Sequence, residues 1–130
     1  MSGMDAPLIS CLRPWPWALA FVGDPDDKAP LPDSLGDASV LATAGTLVCA
    51  IQHEIDGEAL VEVLMGDLDL SPLVRVHGGR LTLSRGELVV TDAAQQQAER
   101  ASLRPGVYAA RVWVDEPGCP SRVVVQLMPK

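Results

Sequence analysis

Short apolar runs of alternating character, most of them closed by glycine, proline or an Asp-Gly pair, recur along this chain and leave little room for a long helix. That rhythm restricts the fold more than any other feature, because alternating polarity buries one face of a strand and leaves the other wet. The clearest case is GTLVCAIQHEIDGEALVEVLMG, residues 45–66. In its second half Ala59, Val61, Val63 and Met65 share one face. Glu58 and Glu62 fall on the other, with Leu60 and Leu64 between them. Asp56-Gly57 between the two runs predicts a hairpin with a type I′ turn, since that pair tolerates the positive φ both central positions need.

The remaining runs carry the same signature. LISCLRPWPWALAF is broken by Pro14 and Pro16, which predicts edge strands or two short strands meeting at a corner. Residues 23–45 are rich in turn formers and predict a long loop with one short strand near 39–43. Gly78-Gly79 and Arg85-Gly86 suit short reversals or β-arches, with Val74, Val76, Leu81, Leu83, Leu88 and Val90 pointing inward. DAAQQQAERASL contains good helix formers, and Asp92 is a candidate N-cap. Without an apolar stripe it predicts a loop or one helical turn, with a strand beginning near Glu99. In SLRPGVYAARVWV, Pro105-Gly106 has type II turn chemistry, and Tyr108, Ala110, Val112 and Val114 form a core face. After a further turn, EPGCPS, Val123, Val125 and Leu127 form another. Eight or more such strands predict an all-β fold: a single-domain antiparallel β-sandwich, jelly-roll-like, spanning residues 1–130 with at most one short helix.

At 130 residues the chain is long enough to bury roughly two-thirds of its unfolded surface. Aromatic residues make up 4%, so valine, leucine and alanine must fill the core. No apolar run approaches the roughly 20 residues of a membrane-spanning helix, and the N-terminus lacks the features of a secretory signal. Cys11, Cys49 and Cys119 are odd in number and show no metal-ligand spacing, which fits thiols in a reducing, cytoplasmic compartment. The net charge of −7 argues against nucleic-acid or anionic-membrane partners. It is unevenly spread. Residues 1–69 hold 12 of the 17 acids and only Arg13 and Lys28 as bases, whereas residues 70–130 hold 5 acids and 8 bases. A charge of this size keeps a small domain soluble; it also suits an acidic face for a basic partner.

No motif for phosphate, dinucleotide, zinc or nucleophilic catalysis is present, and no catalytic set, metal site or cofactor is expected. His53 has no second histidine at ligand spacing, and His77 lies among Arg75, Gly78, Gly79 and Arg80 as a turn histidine. The Asp24, Asp26, Asp27 cluster lacks the further ligands of a calcium loop. Trp15 and Trp17, two residues apart, share a face of a regular strand: the pair suits stacking on a proline-rich or sugar ligand, but in so aromatic-poor a chain it fits core residues buried together. Arg111 and Trp113, on the outer face of a later strand, form an alternative surface for a small carbohydrate or peptide ligand.

The order of these pieces resembles the ComJ-like family of small bacterial β-sandwich proteins, which includes an inhibitor of a competence-associated nuclease. The resemblance rests on GTLVCAIQHEIDGEALVEVLMG, VRVHGGRLTLSRGELVV, LRPGVYAARVWV and VVVQLMP, and so covers roughly residues 45–129. It implies a protein-binding role, an inhibitor or immunity-type protein neutralising a nuclease or toxin as a monomer or weak homodimer. It carries over no functional residue. Carboxylates can occupy a site built to attract phosphate, so the acids around the first predicted hairpin, Glu54, Asp56, Glu58, Glu62, Asp67 and Asp69, form the candidate partner-binding surface.

Overall fold

In the computed structural model, which describes residues 7–28, 35–94 and 98–129, ten strands form two five-stranded sheets around one apolar core. The first sheet contains β1 (Ile9–Arg13), β5 (Ala59–Met65), β10 (Arg122–Pro129), β9 (Gly106–Val114) and β6 (Val74–Leu83), in that spatial order. The second contains β3 (Val40–Ala42), β4 (Thr46–Ala50), β2 (Leu19–Gly23), β7 (Glu87–Asp92) and β8 (Ala98–Ser102). Every neighbouring pair is antiparallel except β5 and β10, which run parallel with Val61 beside Val123 and Val63 beside Val125. The all-β sandwich read from the sequence is thus the observed architecture.

The core faces follow the alternation. Ala59, Val61 and Val63 of β5, Tyr108, Ala110, Val112 and Val114 of β9, and Val123, Val125 and Leu127 of β10 are buried. They meet Ala20, Val22, Leu47, Cys49, Leu88 and Val90 of the second sheet. Of the other inward candidates, Leu81 and Leu83 are buried and Val76 packs against the core edge, but Val74 is exposed. It opens an edge strand beyond the reach of the second sheet. β3 occupies the short strand expected near 39–43, within a long connection whose residues 29–34 lie outside the described residues. β8 starts beside Glu99, as expected; residues 95–97 of the preceding loop also lie outside the described residues.

Three local readings are corrected. Asp56-Gly57 does not close a hairpin, because β4 and β5 belong to opposite sheets. Residues 51–58 cross between the sheets through a 3-10 turn at Glu54–Asp56. Only Gly57 has positive φ, so the two-residue turn geometry is not formed. Gly78-Gly79 lies inside the continuous strand β6, whose irregularity is a bulge between Arg75 and His77. Gly79 leaves room there for the His77 ring: a Cβ on it would lie 3.1 Å from Nε2. Asp92 caps no helix and ends β7, buried against Arg13.

The opening of β9 also departs from a type II turn. Gly106 does have positive φ, at 146°, but it already pairs with Leu83 as part of the strand. Residues 103–105 carry the chain from β8 in one sheet to β9 in the other. The Tyr108 hydroxyl donates to the Arg104 carbonyl four residues upstream, a tyrosine corner that ties this crossing to the core. Beside it, the second crossing at residues 84–86 requires glycine. Gly86 has φ +74, and a Cβ there would lie 2.1 Å from the Leu103 carbonyl oxygen. Tyr108→Phe keeps the buried ring and removes one hydrogen bond. It is expected to cost about 1 kcal/mol and lower the melting temperature by about 4 °C, measured by thermal circular dichroism.

The connection from β5 to β6 has one further consequence for the outer surface. β5 ends, and β6 begins, at opposite ends of the first sheet, so residues 66–73 return along its outer face. Gln126 of β10, fully buried, donates through Nε2 to the carbonyls of Gly66 (2.8 Å) and Leu68 (3.2 Å). Its Oε1 accepts from Trp113 Nε1 at 3.0 Å. This strap buries Val124 and Gln126 on what would otherwise be a wet face.

Candidate partner-binding surface

Both prolines of RPWPW shape the strand-exchange end at which β1 passes to β2 and β4 to β5, opposite the end that carries the β6–β7 and β8–β9 crossings. The chain must leave β1 and enter β2 in the opposite sheet within five residues. Trp15 takes the inward course, fully buried, with Nε1 donating to the Ala59 carbonyl at 2.9 Å. The Arg13 guanidinium lies 4.4 Å from its ring centroid. A 3-10 turn at Pro16–Ala18 follows, and there Trp17 and Ala18 adopt φ of 62° and 59°. Two successive left-handed residues other than glycine are strained, more so when one is bulky. The turn is held by Ala18 N–H donating to the Trp15 carbonyl, Ile51 N–H to the Ala18 carbonyl, and Glu54 N–H to the Trp15 carbonyl.

The result corrects the pairing of the tryptophans: Trp15 is 0% exposed and Trp17 63%. Spacing of two implies a shared face only in a regular strand, and the left-handed turn rotates Trp17 outward. Ile55, in the neighbouring 3-10 turn, is 82% exposed. His53 shapes that turn, its Nδ1 accepting from the Ile55 amide at 3.1 Å. A hollow of about 230 Å³ lies beside Trp17 and is floored by Leu19, Ala50 and Ile51. A second, of about 240 Å³, adjoins it, sharing Gly36, Ala38, Ala50 and Gly118. The hairpin loop 115–121 forms its far wall and is held by Asp115. That carboxylate accepts from the amides of Glu116, Ser121 and Arg122 and from the Ser121 hydroxyl. Burial opposes its charge, but these hydrogen bonds hold the Asp115 carboxyl below its ordinary range.

The six acids named from the sequence divide along β5. Glu54, Asp56 and Glu58 stand exposed around Ile55, and none is ion-paired among the described residues. Glu62 lies on the outer face of β5, paired with Arg122 at 2.9 Å. Asp67 and Asp69 lie beyond the far end of the strand. Asp67 is 3.6 Å from Arg111, and Asp69 accepts from the Ser71 amide, which holds its carboxyl below the ordinary range. Arg111 and Trp113, the alternative ligand face, therefore make contacts within the protein, to Asp67 and Gln126. Ile55 is not singled out by the sequence, and Trp17 is named there only together with Trp15, as a stacking pair or a buried one. The odd Pro-Trp-Pro-Trp spacing was the available signal, since proline on both sides of Trp15 forbids a regular strand through Trp17.

The remaining polar clusters hold the fold. Asp24 accepts from Ser84 and Asp26, and Asp27 accepts from Thr43 and Thr46, tying the connection after β2 to the β6–β7 crossing. Among the described residues, no group of three or more His, Cys, Asp or Glu is placed to hold a metal ion. Cys11 and Cys49 are buried, their thiols pushed up to about 11 and about 12 by burial, while Cys119 is exposed in loop 115–121. No helix among the described residues is long and apolar enough to cross a membrane.

No protein-family model matches the chain, and no curated protein matches it by sequence. Its fold matches two solved structures. One is ComJ from Bacillus subtilis, inhibitor of the DNA-degrading activity of NucA, with a TM-score of 0.74 at 12% identity over 98% of this chain and 100% of that one. The other is the crocagin biosynthetic gene J protein, with a TM-score of 0.60 at 12% identity over 94% and 95%. With both sheets aligned to ComJ over nearly their whole length, this chain has a ComJ-like fold.

Proposed function

We propose that this protein works by binding rather than by turnover, as an inhibitor-type protein that neutralises a basic nuclease or a comparable toxin. The observation that carries the reading is the full-length likeness to ComJ, an inhibitor of a DNA-degrading activity. The exposed acids at the strand-exchange end support it. A phosphate-seeking protein presents a positive surface, and carboxylates on a partner raise its association rate in a salt-dependent way. The proposal includes an intracellular site of action and a monomer or weak homodimer as the acting form.

The test is DNA degradation by extracts of the source cells, followed with and without added pure protein. Stoichiometric loss of activity, weakened by high salt, is the expected result. Undiminished degradation at saturating protein would remove the inhibitor reading.

A further inference from the structure

Trp17 is an unusual residue to leave in solvent. Its side chain is large and apolar, its backbone is left-handed, and so is that of Ala18. A fold that needed only a connection here would be served better by glycine or asparagine, which enter that conformation at little steric cost. Backbone strain held by surrounding hydrogen bonds concentrates where a side chain must be presented in one orientation. Here the presented ring borders the hollow floored by Leu19, Ala50 and Ile51. The exposed ring of acids at this end comprises Asp37, Glu54, Asp56, Glu58 and Glu116. Of the basic residues near it, Arg13 is buried on Asp92 and Arg122 is paired with Glu62, while Arg75 stands exposed on the far edge strand β6.

We infer that the strand-exchange end is the contact surface for the partner, with Trp17 as its anchor and an arginine side chain of a basic protein as the group it receives. The inference rests on the protein-binding reading above and narrows it to one surface and one kind of side chain. Charge complementarity selects the occupant. An arginine stem and guanidinium stack on indole, the best cation–π acceptor among the side chains, while the planar fork meets carboxylates. Ile55 supplies a second apolar contact on the same side as Glu54 and Asp56. Tryptophan and arginine are the residues that most often dominate binding energy at protein interfaces, and a few anchors surrounded by a polar rim are sufficient.

The probe is the pentapeptide acetyl-Gly-Arg-Gly-Arg-Gly-amide, titrated into the protein at low salt and followed by amide and indole chemical shifts. Shifts are expected at the Trp17 indole and in residues 36–38, 54–58 and 117–119. Trp17→Asn is expected to weaken the binding by about tenfold or more, and Trp17→Tyr to retain part of it. The same Trp17→Asn protein is expected to melt at a higher temperature than the parent, because asparagine relieves the left-handed strain. A purely structural Trp17 would instead lower the melting temperature when replaced. Absent shifts, or shifts elsewhere that Trp17→Asn leaves unchanged, would overturn the inference. The two readings fail separately. If Trp17→Asn still abolishes DNA degradation in extracts as well as the parent does, the inhibitor reading stands and this surface is wrong. Peptide bound at Trp17 without any inhibition keeps the surface and removes the nuclease target.

Discussion

Asp92→Ala is expected to lower the unfolding free energy by about 3–5 kcal/mol, the cost of removing one member of a buried ion pair. Asp92 on β7 and Arg13 on β1 join the two sheets across the edge of the sandwich at 3.2 Å, with side chains 4% and 11% exposed. The guanidinium also lies on the Trp15 ring, so loss of the carboxylate disturbs a cation held between two layers. Folded domains commonly have a total stability of only about 5–15 kcal/mol, so this variant should melt roughly 10–20 °C lower. The double change Arg13→Met with Asp92→Leu supplies the contrast. It removes both charges and keeps apolar volume, so its stability should return close to the parent's. Urea unfolding of the parent, Arg13→Met, Asp92→Leu and the double variant closes the cycle, with Asp92→Ala measured beside them. A cost below about 1 kcal/mol for Asp92→Ala would mean that water, rather than the carboxylate, solvates Arg13.

Replacement of Gln126 by alanine should have the second largest effect, about 3 kcal/mol. The side-chain oxygen serves Trp113 and the nitrogen serves two strap carbonyls, so a single truncation leaves three groups without their partner. This division also fixes the amide orientation, since an indole N–H only donates and a carbonyl only accepts. Gln126→Glu separates the two halves of the role. It keeps the acceptor for Trp113, loses both donors, and sets a carboxylate oxygen against the two strap carbonyls. Amide hydrogen exchange in residues 66–70 should accelerate in both variants while that in β2, β4 and β7 stays slow. Uniform acceleration through both sheets would show that the strap and sandwich unfold as one unit.

The legible part of the fold was whatever depends on alternation alone. β5, β9 and β10 each carry three or four inward residues at strict period two, and all of these are buried except the half-buried Met65. Which strand neighbours which was not legible, because Asp56-Gly57 signals only a local reversal. β5 instead lies between β1 and β10, partners about fifty and sixty residues away in sequence. Gly78-Gly79 misled for the opposite reason: a glycine such as Gly79 that accommodates the His77 ring looks in sequence like one that turns a chain. The buried ion pair had a faint signal. Arg13 continues the inward series Ile9, Cys11, Arg13, Trp15, and a cation at such a position requires a distant acid. Asp92 could not be recognised as that acid without knowing that β1 and β7 face each other.

The candidate site was half legible. Glu54, Asp56 and Glu58 belong to the strand-exchange end, whereas Glu62, Asp67 and Asp69 are divided between the outer sheet face and the far end. Linear clustering of charge becomes spatial clustering for the first three only because a short 3-10 turn keeps them together. Once the chain enters β5, each residue advances about 3.3 Å, and seven residues separate the two groups of acids by the length of the sheet.

The parallel pairing of β10 with β5 also dictates the order in which this protein can be made. β10 is the middle strand of its sheet, yet it is the last of the described strands in sequence order. Until residues 122–129 leave the ribosome, β1 and β5 on one side and β9 and β6 on the other are two half-sheets with exposed valine-lined edges. Contacts so distant in sequence close slowly, and unpaired edges of that kind recruit other chains. The nascent protein therefore completes its fold only after synthesis of the domain. A chain cut short before Arg122 is expected to accumulate as aggregate rather than as a smaller folded domain.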